Sequence, residues 1–151
     1  NKAKNNYQRQ RKRDALATIK SVRRHVEKKF KKSRRMKNIL ANGQKNWLYG
    51  VLFHNKVSSY IKNLPGVKRN FPELTVEGRI YNPAATNKNK NKKGNYRIPD
   101  YQWGKIGNPD YQIWDLKPSE RNIQNKWMRT PQYNDMATWT NSNPIAIGYN
   151  K

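Results

Sequence analysis

Apolar residues keep a helical phase over two stretches of the first 66 residues and lose it after Pro72. From Arg13 onward, Ala15, Ile19, Val22, Val26, Met36 and Leu40 mark one stripe, with Leu16, Phe30 and Ile39 beside it. Such spacing places one face of a helix against a partner. Asn42-Gly43 supplies a stop, because Gly tolerates the left-handed conformation at a helix end. The pattern predicts a helix over 13–41, about 40 Å long at 1.5 Å per residue. A second stretch, 46–64, carries Trp47, Val51, His54, Val57, Ile61 and Leu64 in helical phase. Leu48, Leu52, Phe53 and Tyr60 flank that stripe, and Leu64-Pro65-Gly66 ends it, since Pro disfavours helix in the residue before it. Residues 47–53 also suit a strand by composition. Two helices joined by a Gly turn form an antiparallel pair, and this pair is the one core the pattern offers.

Elsewhere the pattern is weak. Residues 1–12 have no apolar period and read as a basic arm, disordered unless bound. Residues 73–81 alternate apolar and polar side chains, as a short strand does. Residues 87–93 (NKNKNKK) read as a polar linker. Pro118 and Glu120 suit the start of a short helix over 118–129, with Ile123 and Trp127 on one face. The four-residue string Pro99-Asp100-Tyr101-Gln102 recurs at Pro109-Asp110-Tyr111-Gln112, too short a repeat to define a solenoid. The expected fold is mainly α: a long basic N-terminal helix paired with a second helix, then an extended, largely irregular C-terminal tail. The organisation would be a basic arm (1–12), a helical pair (13–66), a short strand and linker (67–94) and an aromatic, Pro-rich tail (95–151).

Charge narrows the function. The chain has 33 Lys and Arg against 9 Asp and Glu, a net +24, with 34% apolar residues in 151. Residues 1–69 hold 21 cations and 2 acids, and the remainder holds 12 and 7. A solvated helix mixes signs to gain pairing four residues apart, whereas residues 1–40 contain only Asp14 and Glu27 as acids. Adjacent like charges of this kind are tolerated when a polyanion cancels them. Nucleic acid does so with release of condensed counterions and without base contacts. The expected RNA contacts are Arg9, Arg11, Lys12, Arg13, Arg23, Arg24, Lys28, Lys31, Lys32, Arg34 and Arg35, with Arg favoured for its planar, bidentate fork. Trp103, Trp114, Trp127 and Trp139, in the less charged tail, are expected to anchor neighbouring proteins, where Trp dominates binding energy. Stacking on unpaired bases is the alternative use of such aromatics, and packing onto the chain's own helices is the plainer one.

Catalysis finds no support. No cysteine is present, which excludes disulfides and thiolate metal sites. His25 and His54 stand apart without ligand spacing, Gly43, Gly50 and Gly66 form no phosphate loop, and Asp100 and Asp110 sit in Pro turns. No catalytic residue, metal ligand or cofactor is expected. No zinc finger or basic zipper points to sequence-specific DNA binding, and no apolar run is long enough to span a bilayer. None of the 21 Asn lies in a glycosylation sequon. In composition the chain resembles organellar ribosomal proteins: a basic arm, one long cationic helix, a small core and a long extension. That resemblance implies a structural component of the mitochondrial ribosome, or second a cytosolic one, with ribosomal RNA and neighbouring ribosomal proteins as partners. The rivals are a non-catalytic basic accessory subunit of a membrane-associated complex and a DNA-compacting protein.

Overall fold

A computed structural model describes residues Asn1–Lys151. The chain forms two compact units, one of Asn1–Pro72, Leu116–Ser119 and Gly148–Lys151, the other of Glu73–Asp115 and Glu120–Ile147. The expectation of a mainly α chain with an irregular tail is overturned. Helix accounts for 55% of the residues, and the C-terminal half folds into a four-stranded mixed sheet and a two-stranded sheet.

In the first unit, helix α1 runs over Lys2–Lys32, so the basic arm is helical from its start, capped by Asn1 whose side chain accepts from Lys4 N at 3.0 Å. The helix ends where the apolar phase slips. Continuing Val26 and Phe30 would put apolar residues at 33 and 37, but these are Ser33 and Lys37, and the stripe resumes at Met36, Ile39 and Leu40. Ser33 leaves helical geometry (ψ 122°) and caps α2, Arg34–Ala41, its Oγ accepting from Met36 N. A 3₁₀ turn over Gly43–Lys45 leads into α3, Asn46–Asn63, and then α4, Pro65–Asn70, with Pro65 at its first turn.

Helices α1 and α3 pack antiparallel: Phe30 sets its edge against Tyr49 and Phe53, while the earlier His25 meets the later Tyr60. The buried face of α3 is Tyr49, Phe53, Val57 and Ile61, in steps of four. The expected phase was different, and Trp47, at 66% exposure, and Val51 point outward. Because α3 is apolar on several faces, its own period cannot choose between them; the rings of α1 do. The last residues of the chain complete this core. Tyr149 stacks on Phe53 with centroids 4.1 Å apart, and Asn150 N donates to the buried Glu27 Oε2 at 2.8 Å. Desolvation, then the Glu27 charge, raises the Tyr49 hydroxyl pKa above its ordinary value.

The second unit is built from strands β1 (Leu74–Val76), β2 (Ile80–Tyr81), β3 (Tyr96–Arg97), β4 (Tyr101–Trp103), β5 (Gln112–Pro118) and β6 (Ile145–Tyr149) with helices α5 (Arg121–Trp127) and α6 (Pro131–Thr140). Strands β5 and β6 begin in this unit and end in the first. The larger sheet has the order β1-β4-β5-β6, and β2 and β3 form the two-stranded one. Strand β4 is antiparallel to both β1 and β5. Gln112 at the start of β5 donates to Asn143 O and Ser119 beyond its end donates to Tyr149 O, so β6 runs parallel to β5. Helices α5 and α6 make the long crossover that a parallel pair requires.

The core of this unit gathers Ile80, Tyr111, Ile113, Trp127 and Met136, with Tyr133, Trp139 and Ala146 against it. Trp103 and Trp114 are buried as well, with centroids 6.4 Å apart. The tryptophans expected to anchor a neighbouring protein are therefore taken up by the chain's own interior. Burying them offsets the ordering cost that an irregular tail would have avoided. Polar groups inside are satisfied in series: Tyr111 Oη donates to Gln102 Oε1 at 2.6 Å, Gln102 Nε2 donates to Gly78 O, and Asp115 accepts from Asp100 N at 2.7 Å. At Gly78 a Cβ would stand 2.5 Å from Thr75 Cγ2, so any larger residue in the turn between β1 and β2 must displace the Thr75 side chain.

Candidate nucleic-acid interface

With Ala15, Ile19, Val22 and Val26 turned toward α3, the helical repeat places Arg9, Arg13, Lys20, Arg24, Lys28 and Lys31 along another side of α1. All six are exposed and follow one another in steps of four, seven, four, four and three. They span about 33 Å at 1.5 Å per residue and occupy roughly a 100° arc. Of the two acids of the helix, Asp14 falls just outside the arc and is bonded by Gln10, while Glu27 shares the phase of Arg9 at the arc's edge but is buried and held by Asn150 N. Lys20 was not singled out from the sequence, although the same helical phase that sorts the others would have found it.

Around the Ser33 break, Lys32 at the end of α1 and Arg34 and Arg35 at the start of α2 are exposed. An open hollow of about 520 Å³ is lined by Arg34, Arg35, Asn38, Ile39, Asn42 and Lys45. Three cations and two amides make it a donor-rich recess suited to phosphate oxygens. The exposed Trp47 follows two residues after Lys45.

Three of the expected contacts sit apart from this face. Arg23 turns inward: Nη1 donates to Gly148 O at 2.9 Å and Nε lies 3.4 Å from Glu27 Oε1. Arg11 donates to Asn70 O at 2.6 Å and lies over the Tyr7 and Phe71 rings, tying α1 to the end of α4. Lys12 is half-buried. Arg13, though exposed, donates to Gln10 Oε1. Lys29 donates to Tyr60 Oη, which lowers the Tyr60 pKa and fixes that lysine against α3.

In the second unit, Trp103, Trp114 and Trp127 are buried and present no ring as an anchor, while Trp139 is half-buried. No group of three or more His, Asp or Glu is placed to hold a metal ion. No helix is long and apolar enough to cross a membrane. No family model, curated protein or solved structure matches the chain.

Proposed function

We propose that the protein is a structural, non-catalytic RNA-binding component of a large ribonucleoprotein, and in its most specific form a protein of the mitochondrial ribosome. The exposed stripe Arg9–Arg13–Lys20–Arg24–Lys28–Lys31 carries this reading. Six cations held on one rigid face, with no exposed acid among them, repel one another unless a regularly charged polyanion lies along them. Arg supplies three of the six and can engage phosphate with two parallel hydrogen bonds. The membrane-associated alternative is less well supported, because the apolar face of α1 is covered by α3 and its one phenylalanine, Phe30, packs on Tyr49 and Phe53. The ribosomal assignment rests on composition: a net +24 with long, mildly charged C-terminal sequence.

Sedimentation of the protein from its native cells on sucrose gradients tests the reading. It should migrate with large particles and shift to the top of the gradient after ribonuclease treatment. Migration unaffected by ribonuclease would contradict it.

A further inference from the structure

The stretch 87–93, which the sequence offered as a linker, is part of an ordered finger. Strands β2 and β3 pair antiparallel, with Tyr81 opposite Tyr96 and Ile80 opposite Arg97. Successive side chains alternate faces. Ile80 enters the core, and Arg97 binds Asp135 of α6 through Nε and Nη2 at 3.0 and 2.7 Å. That face fixes the finger to its unit. The opposite face presents two tyrosines side by side, Tyr81 at 37% exposure and Tyr96 half-buried.

The connection between the strands closes on itself. Asn82 N donates to Asn95 O, Lys90 N to Thr86 O, Asn95 N to Lys92 O, and Asn95 Nδ2 to Asn89 O, all at 2.9–3.0 Å. These bonds use backbone and Asn side chains and none of the lysine ammonium groups. Lys88, Lys92 and Lys93 are exposed, while Lys90 lies over Tyr81 at 5.0 Å and the Arg79 guanidinium over Tyr96 at 4.1 Å. Between Glu77 and Asp100 there is no acid, whereas the remainder of residues 70–151 holds all seven acids of that half.

We infer that this finger is a second RNA contact that takes an unpaired segment. Bases stack at Tyr81 and Tyr96, and Arg79, Lys88, Lys90, Lys92 and Lys93 hold the flanking phosphates. Unpaired RNA is recognised where aromatic and guanidinium planes meet a basic track. Here each tyrosine already carries a cation over its ring, and the Arg79 guanidinium extends the stacking surface at Tyr96. A duplex buries its base faces in its own stack and offers the tyrosines nothing to cover. The inference rests on the RNA-binding reading above but uses no residue of α1.

The test uses the full chain and two labelled probes: a ten-nucleotide oligouridylate and a blunt-ended RNA duplex. Tyr81→Ala with Tyr96→Ala should weaken oligouridylate binding at least tenfold and leave duplex affinity within twofold. Tyr81→Phe with Tyr96→Phe should retain binding to both. A second variant, Lys88→Gln with Lys92→Gln and Lys93→Gln, touches only exposed side chains. It should lower the slope of log affinity against log salt for oligouridylate by about two, at roughly 0.7 per phosphate. Oligouridylate affinity indifferent to both the alanine and the lysine variants would overturn the finger and leave the duplex-binding reading standing. So would duplex binding with no oligouridylate binding. Failure of the wild-type chain to bind either probe would remove the parent reading, and the finger with it.

Discussion

The cationic side of α1 and the β2–β3 finger each gather six Lys and Arg with no exposed acid among them, yet they present that charge differently. On α1 the six lie on a straight rod about 33 Å long, with no aromatic side chain among them. On the finger, six lie within nineteen residues, one is bound to Asp135, and two tyrosines stand among the rest. A rod of fixed charge suits the regular phosphate spacing of paired RNA, and a compact cluster with aromatic planes suits a strand whose bases are turned out. On the proposed reading, equal charge does not mean equal preference; the scaffold would set it, through the helical repeat in one case and cross-strand pairing in the other.

Reversing the rod should have the largest effect. Lys20→Glu with Arg24→Glu and Lys28→Glu should weaken duplex RNA binding about a thousandfold at low salt, since each reversal loses a phosphate contact and adds a repulsion. The helical circular dichroism should be unchanged, because all three side chains are exposed. Oligouridylate binding at the finger should fall far less. Equal losses on both probes would show that the two regions are not distinct in preference.

Next in size is the interior that holds the finger in place. Trp103→Ala should destabilise the second unit by about 3–5 kcal/mol in denaturant titration, because the ring is buried beside Trp114. Trp47→Ala, on an exposed ring, should cost less than about 0.5 kcal/mol. Comparable values for the two would argue that the second unit lacks a packed core.

Arg23 and Arg24 give a sharper contrast within α1. Arg23→Ala breaks the bond to Gly148 O and leaves Glu27 without its i,i+4 partner. It should cost about 1–3 kcal/mol of stability with RNA affinity nearly intact. Arg24→Ala should do the reverse, lowering RNA affinity severalfold with melting temperature unchanged.

The smallest effect is alkaline. Burial raises the Tyr111 hydroxyl above its ordinary value. The unfolded chain releases that proton near pH 10 and the folded chain retains it. Its contribution is therefore intact below pH 10 and lost progressively as pH rises toward the folded value. Tyr111→Phe, which forfeits the bond to Gln102, should be less stable than wild type at pH 8. It should close about 1 kcal/mol of that gap by pH 11. Tyrosinate absorbance read beside circular dichroism measures it.

The parts legible in the sequence were those with one dominant period. Ala15, Ile19, Val22 and Val26 repeat over enough turns to define the inner face of α1, and with it the outward Arg24, Lys28 and Lys31. The break at Ser33 was visible only as a change of phase. Strand β4 is three residues long and buried throughout, and β5 holds Ile113, Trp114, Asp115 and Leu116 all buried. A strand covered on both faces shows no alternation, and the interior Gln102 and Asp115 read as loop residues because their partners are remote in sequence or in a turn. Helix α6 carries a local signal of its own: Thr130-Pro131 is a cap followed by proline at the first helical position, with Thr130 Oγ1 accepting from Tyr133 N. Arg11 and Arg23 looked like their neighbours because their partners, Asn70 O and Gly148 O, lie 59 and 125 residues away.

The salt dependence of RNA binding by the intact protein bears most heavily on the proposed function. If the α1 stripe neutralises phosphates along a duplex, log affinity should fall linearly with log salt at a slope near −5 for about six contacts. That is roughly a thousandfold loss between 50 and 200 mM. The Lys20→Glu, Arg24→Glu, Lys28→Glu variant should show a slope at least two shallower. A flat response in the wild-type chain, or a slope unchanged in the variant, would contradict it.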